Sequence, residues 1–183
     1  MIANNMINKF LLIIMISFFS GCAFNSAYSD LPMQTVKYVD IQKFMGDWYV
    51  IANIPTLIEK RATNAIESYR LNSDGEIETT FSFYQDSPKG DLKIYKPKGF
   101  IYNNETNAEW RMQFLWPFKL PFLIIDLAED YRYTVIGYPS REYVWIMSRE
   151  PNISNEDYLN ITENLVSLGY DIKKIKKVIQ KWD

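Results

Sequence analysis

The stretch Phe44-Met45-Gly46-Asp47-Trp48-Tyr49 decides how this chain is read. A glycine, one further residue and a tryptophan open an apolar run, Tyr49-Val50-Ile51-Ala52. Just ahead of it, Asp40 to Met45 reads as one short helical turn. Asp40 is its N-cap, because a short acidic side chain accepts from the free N–H groups of a first turn. Downstream, from Trp48 to about Met147, Tyr, Phe, Ile and Val are dense and turn signals recur. Asn72-Ser73-Asp74-Gly75 predicts a hairpin between Ala65–Leu71 and Glu76–Tyr84. Looser turns fall at Asp86–Asp91 and Tyr102–Asn107, and Tyr138–Glu142 joins Tyr133–Gly137 to Tyr143–Ser148. About eight short strands, each close in sequence to the next, favour an all-β, antiparallel, up-and-down barrel.

A single helix follows the strands. Ser154 is its N-cap and Asp157 stands three residues on, a pairing like a capping box. Tyr158, Ile161, Leu165 and Leu168 recur at helical spacing and make one apolar stripe. Gly169 sits where a C-terminal glycine belongs. The stripe predicts a helix packed on the outside of the barrel. Lys173 to Trp182 closes the chain with a short strand, and its five lysines read as a solvated face that can also meet anionic headgroups.

The N-terminus reads as a targeting segment. Lys9 is the only charge in the first 21 residues, and Phe10 to Phe19 is apolar apart from Ser17. That run is too short to span a bilayer, which takes about 20 residues, and it suits the hydrophobic region of a secretory signal. Phe19-Ser20-Gly21-Cys22 follows and resembles the bacterial lipobox, with Phe19 where leucine is usual. The resemblance implies cleavage before Cys22, acylation of its sulfur and amine, and stable anchoring, since more than one acyl chain holds a protein on a membrane. Ala23, in place of an aspartate, implies the outer rather than the inner membrane. The expected organisation is a lipoprotein signal peptide over 1–21, a tether over 22–37 and one domain over 38–183.

Composition removes several classes of function. Cys22 is the only cysteine, so no intrachain disulfide can form. The chain has no histidine. Histidine-based triads, cysteine–histidine dyads and the usual zinc sites are therefore excluded. Carboxylate pairs remain available for acid–base work, and their spacing singles none out. A net charge of −2 without a basic block makes a poor nucleic-acid binder. No enzyme activity, cofactor or metal is expected.

Four stretches in the right order resemble the lipocalins, small β-barrels that hold apolar ligands. They are Gly46-Asp47-Trp48; Glu129-Asp130-Tyr131, with glutamate for the usual threonine; Trp145-Ile146-Met147-Ser148-Arg149; and the single helix after it. The likeness spans about residues 38–183. It is strongest to the bacterial outer-membrane lipoprotein branch, on Cys22, Gly46–Tyr49, Phe114-Leu115-Trp116-Pro117-Phe118 and Tyr143–Arg149. It implies that Trp48 plugs the closed end with Arg149 across its ring, a cation–π contact that also keeps water from the barrel base. Gly46, Trp48, Asp130, Tyr131 and Arg149 are then structural. The branch implies binding of fatty acids or lysophospholipids for envelope maintenance, on the membrane, with homodimers in some members.

An eight-stranded barrel is wide enough for one small ligand, and side chains alternate in and out along each strand. If Trp48 points inward, so do Val50 and Ala52. The family alignment puts Ala65, Glu67, Tyr69 and Leu71 inward on the second strand. On the fifth, Trp110, Met112 and Phe114 share one face and Arg111, Gln113 and Leu115 the other; alternation alone does not choose between them. Met112 and Phe114 are taken as cavity residues. Glu67 either faces the cavity, where it needs a partner such as Arg111, Arg132 or a ligand headgroup, or lies outside by a one-residue register shift. Trp116, Phe118 and Phe122 are expected in a loop at the open mouth, facing lipid, ligand or a second copy. The loop Ile54–Asn64, with Lys60-Arg61, forms its other side.

Each buried CH₂ is worth about 0.8 kcal/mol, so a palmitate-length chain of about 16 carbons offers roughly 10 kcal/mol gross before ordering costs. The leading expectation is a lipid-anchored carrier of such lipids. The competing ones are an envelope module that binds another protein through its mouth, a barrel for another apolar ligand, and an enzyme on the same scaffold. A thiol-type enzyme would need a cysteine inside the barrel, and the chain has none to place there.

Overall fold

The computed structural model describes residues 32–182; Cys22 and the expected signal segment lie outside the described residues. A short helix α1 (Ile41–Phe44) precedes ten strands: β1 (Gly46–Ile54), β2 (Ala62–Leu71), β3 (Glu76–Gln85), β4 (Leu92–Tyr95), β5 (Lys98–Ile101), β6 (Glu109–Leu115), β7 (Phe118–Leu127), β8 (Tyr133–Gly137), β9 (Val144–Ser148) and β10 (Lys176–Lys177). Helix α2 (Asn155–Ser167) lies between β9 and β10.

Neighbouring strands pair antiparallel around the circuit, and β9 returns to β1, so the sheet closes on itself. β4 and β5 both pair with β3 and share one place in the circuit, which makes eight positions. The break between them falls at Lys96-Pro97, where proline has no N–H to give to a ladder. The barrel and the outer helix expected from the sequence are both present, and the hairpin at Asn72–Gly75 is where the turn residues place it. Asn72 Oδ1 accepts from Asp74 N and Glu76 N at 2.9 Å, and Gly75 takes φ +80°, open to glycine without strain.

Two apolar clusters lie on opposite faces of the wall. The inner one holds Trp48, Val50, Tyr69, Phe81, Trp110, Met112, Phe122 and Met147 among others. The outer one joins Ile161 and Leu165 of α2 to Ile54, Leu123, Ile125, Val135, Val144 and Ile146. The helical stripe thus buries its central residues against the barrel. Ser154 Oγ accepts from Asp157 N at 3.0 Å as its N-cap, and Gly169 follows the last turn at φ +86°.

Ala52 belongs to the outer cluster, not the interior expected of it. A β-bulge in the β1–β9 pairing lies between Val50 and Ala52, so Ala52 faces Ile146 and Asn53 faces Trp145. One extra residue reverses the alternation beyond it. β1 therefore points Val50 inward before the bulge and Asn53 inward after it.

The chain ends are tied into the wall. Val36 N donates to Ile124 O at 2.9 Å and Met33 packs on the outer cluster, so the last residues of the expected tether belong to the barrel. β1 pairs with β2 only over Gly46–Tyr49. Past that point the C-terminal segment occupies the split. Val178 N donates to Ile51 O at 2.9 Å, and Gln180 Nε2 bridges Val50 O and Ala65 O at 2.9 and 3.1 Å. Asn64 exchanges two bonds with the backbone of Lys181.

Candidate functional site

The closed end is built from aromatic rings. Trp48 and Trp110 are fully buried, and Phe44 of α1 lies 5.1 Å from Trp48 and 5.3 Å from Trp110, centroid to centroid. Trp48 Nε1 donates to Phe44 O at 2.9 Å, so its buried indole N–H is paired. Arg149 covers the ring from outside at 3.7 Å and donates to Asp47 O at 2.8 Å and to Lys43, Phe44 and Met45 O at 2.7–3.1 Å. Those last three are the orphan carbonyls at the end of α1. Gly46, at φ +97°, would bring a Cβ to 3.4 Å from this guanidinium. Tyr131, also at positive φ, accepts from Asp40 N at 2.8 Å, and Asp130 pairs with Arg132. Gly46, Trp48, Tyr131 and Arg149 thus meet at the floor.

Above that floor is a cavity of about 600 Å³, within the range of small-ligand sites. Its wall includes Phe81, Tyr95, Met112, Phe122, Tyr143 and Trp145. Leu57, Ile58, Phe114 and Leu120 line it toward the rim and are exposed. On β6, the fifth strand of the sequence reading, the choice of face is settled: Trp110 and Met112 point inward and are buried. Phe114 follows Met112 by alternation and lines the cavity toward the rim, half exposed. Val50, Ala65 and Tyr69 sit in the inner core beside the cavity rather than on its lining.

The expected loop at Trp116–Phe122 is a hairpin instead. Only Trp116 and Pro117 lie between β6 and β7, and Leu115 pairs with Phe118. Trp116 and Phe118 are 81% and 67% exposed at its tip. Phe122 is a cavity residue, not a rim residue. It lies on β7, buried and stacked on Trp110 at 5.2 Å, because inward alternation carries it into the barrel.

Two carboxylates enter this apolar space. Glu67 faces inward on β2, and its partner is Tyr69, whose hydroxyl donates to Oε2. Arg111 pairs instead with Glu109, and Arg132 with Asp130 and Asp157, so neither takes the partner role expected of it. Burial pushes the Glu67 carboxyl up to about 7; the Tyr69 hydrogen bond pulls it down, and repulsion from Glu59 adds to the rise. Burial, then the Glu67 charge, pushes the Tyr69 hydroxyl well above its ordinary value. Glu59 comes from the loop after β1 and is 7% exposed. It accepts from Asn53 Nδ2 at 2.8 Å, Thr56 Oγ1 at 2.7 Å and Trp145 Nε1 at 2.8 Å. Burial raises its carboxyl too, against the pull of those three donors.

Sequence reasoning passed over Glu59, Phe81 and Trp145. For Trp145 a signal existed: stepping back by twos from Arg149, which covers an inward ring, makes Met147 and Trp145 inward. For Glu59 none did, because a loop carries no period. Among the described residues no group of three or more His, Cys, Asp or Glu is placed to hold a metal ion.

A closed eight-position barrel with an outer helix, a sealed floor and an apolar cavity defines a carrier of small hydrophobic ligands. The Lipocalin-like domain matches residues 39–180, and the chain belongs to the lipocalin family. It is 31% identical to temperature-induced lipocalin-1 of Arabidopsis thaliana over 81% of this chain and 83% of that one. It is 27% identical to the outer membrane lipoprotein Blc of Escherichia coli over 76% and 78%. Among solved structures, insecticyanin of the tobacco hornworm Manduca sexta superposes with a TM-score of 0.63 at 18% identity, over 84% and 86%.

Proposed function

We propose that the protein is a lipid-anchored, non-enzymatic lipocalin that stores or carries single-chain lipids, fatty acids or lysophospholipids, at the cell envelope. The observation that carries this reading is the cavity of about 600 Å³ walled by aromatic and aliphatic side chains and open beneath an apolar rim. Burial of a long alkyl chain in such a space supplies the affinity without a charged network. The rim adds support: Leu57, Leu115, Trp116 and Phe118 are more than two-thirds exposed, and Trp and Phe suit a membrane interface. Anchoring rests on the lipobox at Cys22, and an outer-membrane location on that motif with Ala23 and on the likeness to outer membrane lipoproteins.

Native mass spectrometry of the purified chain, with lipid extraction, tests the proposal. Co-purified fatty acid or lysophospholipid at one per barrel is expected. A barrel that emerges empty and takes up neither palmitate nor lysophosphatidylcholine at micromolar concentration would sink it. Metabolic labelling with palmitate reads the anchor separately: label is expected on the chain and absent from Cys22→Ser.

A further inference from the structure

The cavity is not uniformly apolar, and its polar atoms are grouped. Thr79 on β3 lines it, is 3% exposed, and its Oγ1 has no hydrogen-bond partner. Buried hydroxyls are almost always paired, and an orphan costs about 1–3 kcal/mol. Thr79 stands directly across from Tyr69, and Glu67 directly across from Phe81. Glu67 and Thr79 are therefore diagonal neighbours on one inward face, about 7 Å apart at Cβ in such a pair. Glu67 itself receives one hydroxyl donor, from Tyr69. The site lies deep: Glu67 pairs across β1 with Trp48, the floor tryptophan.

We infer that this corner is the anchor for a hydroxyl group, so that beside lipids held with the head group at the mouth the barrel takes long-chain alcohols polar end down. The inference rests on the reading of the barrel as a carrier of single-chain lipids and names which end is recognised. A hydroxyl is both donor and acceptor. It gives its hydrogen to Glu67 and accepts from Thr79 Oγ1, which completes both groups at once.

Charge separates this from the other head groups. Titratable groups facing Glu67 are Tyr69 on its own strand, Glu59 from the loop after β1, and the more distant Tyr95, Lys96, Tyr138 and Tyr143 of the cavity lining. Arg149 lies beneath the floor, outside the cavity. A carboxylate or phosphate lowered to the floor meets the Glu67 carboxylate there, with the charge of Glu59 adding to the repulsion. An ammonium loses its hydration for one carboxylate, and burying an ion pair commonly returns less than that loss. A neutral hydroxyl meets neither penalty.

The test is calorimetric titration of the purified chain at pH 8 with decanol, decanoate, decylamine and decane, each supplied from cyclodextrin. Decanol is expected to bind at least tenfold more tightly than decanoate or decylamine. Thr79→Val is expected to weaken decanol five- to tenfold, to leave decane unchanged, and to keep or raise the melting temperature, since it removes an unpaired hydroxyl without changing shape. Glu67→Gln should also weaken decanol. Tighter binding of decanoate overturns the inference while leaving the lipid-carrier reading intact. Tightest binding of decylamine makes the corner a cation site and overturns it too. So does an unchanged decanol affinity in Thr79→Val. If none of the four probes binds, the carrier reading and the inference fall together.

Discussion

The guanidinium of Arg149 lies 3.7 Å from the ring centre of Trp48, and its nitrogens meet four backbone carbonyls of α1 and the turn after it. One side chain thus seals the floor and caps the helix that forms it. Lysine carries the charge but not the planar fork. Arg149→Lys is expected to lower unfolding free energy by about 2–3 kcal/mol, read by urea denaturation. Loss under 0.5 kcal/mol would mean that the carbonyl contacts contribute nothing net.

Glu59 ties the loop after β1 to the barrel through Asn53, Thr56 and Trp145. Glu59→Ala leaves two buried donors unpaired and should cost about 2–4 kcal/mol. It should also loosen the loop enough for trypsin to cut at the already exposed Lys60-Arg61 under native conditions. Glu59→Gln keeps an oxygen for Asn53 and Trp145 while Thr56 turns to accept, so it should stay within about 1 kcal/mol of the parent. Equal trypsin sensitivity in Ala, Gln and parent would show that the loop is held by other contacts.

The pH dependence follows from Glu67. Its carboxyl titrates at about 7 in the folded barrel, raised from 4.5 by burial first. Between those values the folded state holds a proton that the unfolded chain has released. The contribution of Glu67 to stability is therefore fully present below about pH 4.5 and is lost as pH rises through 7. Glu67 keeps some exposure to the cavity, so the loss is about 1–3 kcal/mol. Urea unfolding of the parent and Glu67→Gln from pH 4.5 to 8 measures it: the parent should lose that much more than the variant. Parallel curves would disprove the assignment.

Gly137 marks a close approach on the outer face. A Cβ there would stand 2.8 Å from Tyr170 Oη and 2.9 Å from Ile125 Cδ1. Tyr170 Oη also accepts from Tyr138 N at 3.1 Å, so it is not free to move away. Gly137→Ala should lower stability by about 1–3 kcal/mol through overpacking, measured by thermal or urea unfolding.

At the rim, Trp116 and Phe118 are held out in solvent at the tip of the β6–β7 hairpin. Replacing both by alanine should reduce partition onto phospholipid vesicles at least fivefold. Stability should stay within about 0.5 kcal/mol, since little buried surface is lost. Unchanged partition, measured by sedimentation with vesicles, would remove the rim from membrane contact.

Much of the fold is written locally. Turn residues at Asn72–Gly75, the Ser154 cap and the 3.6-residue stripe of α2 act within a few positions, and each element lies where that chemistry puts it. The interior was less legible. Alternation carries Glu67 and Met112 inward, but it fails at Ala52, where one extra residue in β1 turns every later side chain over. Nothing in the composition of β1 marks that bulge, because it is set by how β1 closes against β9. The rim was misjudged for a related reason: Phe122 reads as loop beside two prolines, yet pairing with β6 continues through it.

By itself, then, the amino-acid sequence determined the class of barrel and the outer helix, since these rest on short-range patterns, while the resemblance carried by four ordered motifs pointed to the sealing pair Trp48 and Arg149. Tertiary structure alone decided what else the cavity contains beside Glu67, Met112 and Phe114. Glu59 arrives from an aperiodic loop, Trp145 from the far side of the closing seam, and Thr79 beside Glu67 from a hairpin register. Such groups meet only when the circuit closes, and burial then gives a carboxyl an affinity for its proton that no local stretch of sequence encodes.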